Sequence, residues 1–80
     1  MIKETIYIYL LDEGVDVWRP VEAMHIKDDL YRITSINPDD ENEKWQFSTG
    51  DLVQCEMKIL TDSKRKQELV AVNKIYEENT

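Results

Sequence analysis

The stretch Asp12-Glu13-Gly14-Val15-Asp16-Val17-Trp18-Arg19-Pro20-Val21 decides how this chain folds, because a turn, a strand and a very large side chain meet there. Gly14 tolerates the positive φ that a tight reversal needs. Val15 and Val17 alternate with Asp16 and Trp18 as residues of a strand do, and β-branched and aromatic side chains favour that conformation. Pro20 removes a backbone donor, so this strand lies at a sheet edge or bends there. The reading is a reversal at Asp12-Glu13-Gly14 and a strand from Val15 to about Met24. A bulge near Arg19-Pro20 would let both halves send apolar groups inward.

Strands flank this stretch on both sides. Before it, Thr5 to Leu11 sends Ile6, Ile8 and Leu10 to one face and Tyr7, Tyr9 and Leu11 to the other. Both faces are apolar, so the tyrosine face is expected to be covered by a loop, by another chain or by the curl of a barrel. After it, Leu30 to Ile36 alternates with Tyr31 and Ile33 on one side, and Asn37-Pro38-Asp39-Asp40 stops it. Lys44 to Phe47 is a short strand with Trp45 and Phe47 on one face. Leu52 to Leu60 has the cleanest alternation, with Val53, Cys55, Met57 and Ile59 inward and Leu52, Gln54, Glu56 and Lys58 outward. Thr61 to Glu68 is polar, a loop or one turn of helix, and Leu69 to Tyr76 is a last strand. Five to six short antiparallel strands in 80 residues give an all-β domain, residues 1–80, built as a small curled sheet or SH3-like barrel.

Charge is the strongest compositional feature, with 10 Lys and Arg against 17 Asp and Glu for a net charge of −7. Between Asn37 and Asp51, five acids (Asp39, Asp40, Glu41, Glu43 and Asp51) face Lys44 alone, so over half the imbalance sits in that segment. That balance argues against nucleic acid, whose affinity rests on cations meeting phosphates, and favours a basic protein surface as partner. The plainer reading is a solvated loop that keeps the domain soluble. Cys55 is the sole cysteine and His25 the sole histidine, which rules out an intrachain disulfide and a structural zinc cluster. The apolar run Ile6 to Leu11 is far below the ~20 residues that cross a bilayer, so no membrane association and a cytoplasmic location are expected.

Taken together, Asp12 to Ala23, Leu30 to Ile33, Trp45 to Phe47, Gly50 to Glu56 and Leu69 to Val72 resemble a family of short, free-standing, uncharacterised bacterial proteins with an EGxDVWRPV-type segment. The resemblance covers nearly the whole chain and implies no activity, ligand or catalytic residue. At the level of fold, the meander and the Gly50-Asp51-Leu52-Val53 turn are similar to SH3-type barrels. Those that bind RNA are generally basic, and this chain is not.

Catalysis needs a positioned acid, base or nucleophile, and the candidates are few. Cys55 alternates with Val53 and Met57 and reads as a small buried hydrophobe; His25, at a strand end, reads as structural. Asp39 to Glu43 supplies oxygens without the alternate spacing of a calcium loop, so no metal and no cofactor are expected. Arg19, between Trp18 and Pro20, is expected to stack on a ring or to pair with Asp16 or Glu22. A partner groove would draw on the aromatics Tyr7, Tyr9, Trp18, Tyr31 and Trp45, with Arg19 beside it and Asp39, Asp40, Glu41 and Glu43 facing the partner. The leading function is therefore a protein-interaction module, including a homodimer through Tyr7 and Tyr9. A nucleic-acid-associated module using Lys64-Arg65-Lys66 comes second, and a small enzyme centred on His25 or Cys55 third.

Overall fold

Alternate side chains of a strand share a face, and Ile6 and Ile8, two residues apart, are both completely buried. They belong to β1 (Lys3–Leu11) of a computed structural model that describes residues 2–38, 42–60 and 67–76. The other strands are β2 (Trp18–Lys27), β3 (Leu30–Ile33), β4 (Lys44–Trp45), β5 (Leu52–Ile59) and β6 (Gln67–Ile75). The described residues contain no helix. Antiparallel pairing runs from β1 to β2, β3, β5 and β6, and β6 returns to β1 through one parallel pairing, Tyr7 with Val70. The chain is therefore an all-β ring of five strands, a small barrel, with β4 attached to the end of β1 through Leu10–Trp45 and Leu11–Lys44. The expected wholly antiparallel pairing fails at one joint for a geometric reason. An up-and-down succession of five strands ends with its last member running the same way as its first.

The core inside the ring is Ile6, Ile8, Val21, Ala23, Tyr31, Ile33, Phe47, Val53, Cys55 and Ala71, with Trp45 and Leu69 packed against it. Two turns use positive φ where glycine makes it free of strain: Gly14 at 78° and Gly50 at 89°. At the second, the Gly50 N–H donates to the Ile33 carbonyl at 2.8 Å and the Ser48 N–H to Asp51 Oδ2 at 2.8 Å.

Several expectations need correction, among them the fourth strand, which ends at Trp45 rather than Phe47, and the last, which begins at Gln67 rather than Leu69. The second strand begins at Trp18 rather than Val15, because Asp12 as well as Gly14 takes positive φ and the reversal is broader; Val15 is exposed. The pairing of β1 with β2 runs unbroken through Arg19 and Pro20, and the bulge lies between His25 and Lys27. The Leu10 N–H donates to the Val17 carbonyl, so by alternation Pro20 sits opposite Tyr7 at a position that exchanges no hydrogen bonds with β1. Its missing donor thus faces the open edge and no bulge is required. The third strand stops at Ile33, because the next N–H groups, of Thr34 and Ser35, both turn to the Glu22 carbonyl. Finally, Met57 and Ile59 are 54% and 61% exposed, whereas Leu52, expected outward, is buried. β5 pairs with β3 only over Leu52–Gln54 and then runs on with β6, so among the described residues no strand continues the ring beside Met57 and Ile59.

Candidate functional site

The hydrogen-bond alternation that spares Pro20 also decides where the aromatics meet. Tyr9 and Trp18 form the pair nearest the β1–β2 reversal, at a position without backbone bonds between them, where facing side chains come closest. Their rings lie edge to face with centroids 5.2 Å apart. The Tyr9 hydroxyl donates to Asp16 Oδ1 at 3.0 Å, tying the reversal down beside the ring, and that bond, with some burial, holds the Tyr9 hydroxyl above its ordinary pKa. Both rings are half-buried. With Asp16, Gln46, Lys58 and Val70 to Val72 they line an open groove of about 240 Å3. The groove runs along the seam where β6 meets β1, the joint held by a single residue pair.

A second constellation lies at the outer edge of β2. Arg19 Nε donates to Glu43 Oε1 at 2.7 Å and Nη2 donates to Oε2, a two-pronged clasp whose planar fork matches the carboxylate. Trp45 Nε1 donates to the same Oε1 at 2.7 Å, and Asn37 Nδ2 to the Glu43 carbonyl. The Arg19 and Trp45 donors, Arg19 first, hold the Glu43 carboxyl below the usual carboxylate range, and the bond to Glu43 in turn raises the Arg19 guanidinium. Glu43 is thus already engaged with this chain's own arginine. The expected partners of Arg19, Asp16 and Glu22, are taken instead by Tyr9 and by Lys3, the latter at 3.5 Å. Next to the clasp, Leu11, Ile36, Asn37, Trp45 and Thr49 line a second open groove of about 410 Å3.

The aromatics therefore divide. Tyr9 and Trp18 line one groove, while Trp45 lines the other and packs on the core. Tyr31, expected to line a groove, is instead a core residue stacked on His25 at 4.8 Å, because Tyr31 and Ile33 share the face that β3 turns inward. Burial, with a hydrogen bond to Glu4, pushes the Tyr31 hydroxyl up to about 12. His25 Nε2 meets the Asp28 carbonyl at 2.7 Å and so carries the proton of that bond. Burial likewise pushes the Cys55 thiol up to about 12. Asp39, Asp40, Glu41 and Lys64 to Lys66 lie outside the described residues. Among the described residues no group of three or more His, Cys, Asp or Glu side chains could hold a metal ion, and no helix is long and apolar enough to cross a membrane.

Sequence reasoning missed Asp16 as a groove residue, although its place in the quoted stretch two residues before Trp18 was visible. Lys58 and Val72 carried no such sign, since only the closure of the ring brings them beside Tyr9. No protein-family model matches this chain, and neither a curated protein nor a solved structure matches it.

Proposed function

We propose that this chain is a small protein-interaction module that docks an extended segment of a partner protein in the groove between Tyr9, Trp18 and β6. One observation carries the reading: a half-buried pair of aromatic rings lies beside the barrel's least firmly closed seam. Rings of this kind are rigid, amphipathic platforms on which an extended peptide settles at low entropic cost. Beyond Val70 no further residue pair joins β6 to β1, and a strand edge so lightly paired suits the addition of an extended peptide. The acidic balance of the chain favours a partner with a basic surface.

The alternatives find less support. The Lys64-Arg65-Lys66 run would have to outweigh a net charge of −7 to hold nucleic acid. A thiol pushed up to about 12 is a poor nucleophile near neutral pH, which weighs against an enzyme built on Cys55. One buried reduced thiol suits the cytoplasm. A homodimer through Tyr7 and Tyr9 would occupy the same surface as the groove.

Selection of a displayed random-peptide library on the purified chain tests the reading. Enriched peptides are expected to bind the wild type saturably and to lose about tenfold or more in affinity for Trp18→Ala, as for an aromatic anchor in an interface. Circular dichroism and the amide spectrum confirm that the variant is folded. Peptides that bind Trp18→Ala as well as wild type would place the site elsewhere.

A further inference from the structure

The groove is chemically asymmetric, and its asymmetry names the side chain it receives. Its lining combines the Tyr9 and Trp18 rings and the Asp16 carboxylate with the aliphatic run Val70 to Val72, and Lys58 is the only cation among the described lining residues. Asp16 uses Oδ1 to accept the Tyr9 hydroxyl, and none of its contacts among the described residues involves a cation. An edge-to-face ring pair beside a carboxylate makes a site for a cation, since the quadrupole of an open ring face and the negative charge attract the same partner. The clasp shows that the fold satisfies its own Arg19 elsewhere, with Glu43.

We propose that the groove recognises a single basic side chain, arginine or lysine, of an extended partner segment, seated against Tyr9, Trp18 and Asp16. This rests on the reading of the groove as a peptide-docking site and adds the identity of the anchoring residue. Lys58, in the same groove, repels a second cation, so the preferred segment carries one basic residue rather than a run of positive charge. Arginine suits the site better than lysine, because its weakly hydrated planar guanidinium stacks on a ring while donating to a carboxylate.

The chain contains two tryptophans, so a 1H–15N spectrum shows two indole signals, and Trp45→Phe identifies which belongs to Trp18. The probes are N-acetyl-arginine amide and its neutral isostere N-acetyl-citrulline amide, each titrated into the full chain. The expected result is a saturable shift of the Trp18 indole with the arginine compound and none with citrulline, while the Trp45 indole, held by Glu43, stays in place. Asp16→Asn is expected to weaken the arginine response about fivefold, in keeping with one cation–carboxylate contact at a partly exposed site. Lys58→Gln is expected to strengthen it by removing a like charge. Equal shifts with both probes would overturn the inference, since charge would then not be read, yet would leave the groove as a binding site. A Trp18 indole unmoved by either probe, while library-selected peptides still depend on Trp18, would also overturn the inference and spare the docking site. Failure of those peptides to depend on Trp18 would remove both.

Discussion

Arg19 on β2 and Glu43 just before β4 are 24 residues apart in sequence and joined by two parallel hydrogen bonds, with the Trp45 indole donating to the same carboxylate. The clasp fastens the segment entering β4 to the free edge of β2, the stretch where Pro20 leaves the edge without a donor. Its energy is modest, because the Arg19 side chain is 46% exposed and solvent screens the pair. Arg19→Ala and Glu43→Gln are each expected to lower the urea midpoint, and the double variant to be little worse than the poorer single one. A double-mutant cycle should give a coupling of about 1 kcal/mol. Strict additivity would show that the clasp is not formed in solution.

The same pair sets an acid limb. Glu43 is held below its ordinary pKa in the folded chain, by Arg19 first and Trp45 second, so its contribution is complete above about pH 5, where the unfolded residue is ionised. It is lost as pH falls through the depressed folded value. Arg19→Gln should therefore flatten the decline of stability on acidification, measured as urea midpoint against pH. A variant curve parallel to wild type would assign the acid limb to other carboxyls.

Tyr31 and Cys55 set the alkaline limb. Burial raises both to about 12, so each favours folding fully below its unfolded pKa, about 8.5 for the thiol and about 10 for the phenol, and loses that contribution as pH climbs through the folded value. Tyr31→Phe should shallow the loss of stability between about pH 10 and 12. Iodoacetamide at neutral pH should label Cys55 only after denaturant unfolds the chain. Rapid labelling of the folded protein would contradict both the burial and the suppressed thiolate.

Gly14→Ala isolates a backbone effect. Nothing lies within 4 Å of the added methyl, so the cost is conformational: φ is +78°, where a β-carbon is strained by about 1 kcal/mol. Thermal denaturation should show a drop of a few degrees, and Gly14→Asn a smaller one, since asparagine tolerates this region better. An unchanged midpoint for Gly14→Ala would mean that the reversal can adopt another turn.

What could be read from the chain alone was whatever depends on neighbours in sequence. The alternation Val53-Cys55 put both expected side chains inside, and Ile6-Ile8-Leu10 and Tyr31-Ile33 each kept to one face as read, because a strand's two-residue period is set by its own backbone. Gly14 and Gly50 marked their turns for the same local reason, and Pro20 marked an edge. The tertiary structure decided everything that depends on which strands meet and how far they overlap. Met57 and Ile59 continue the alternation of Val53 and Cys55 yet stand in the open, since β3 ends before it can cover them. Tyr31 and Tyr9 look alike in sequence, but one faces the core and the other shares a groove with residues of three other strands. Arg19 passes over Asp16 and Glu22 for Glu43, because closing the ring brings that distant carboxylate into line with its fork, and no local pattern records the distance between residues that only folding brings together.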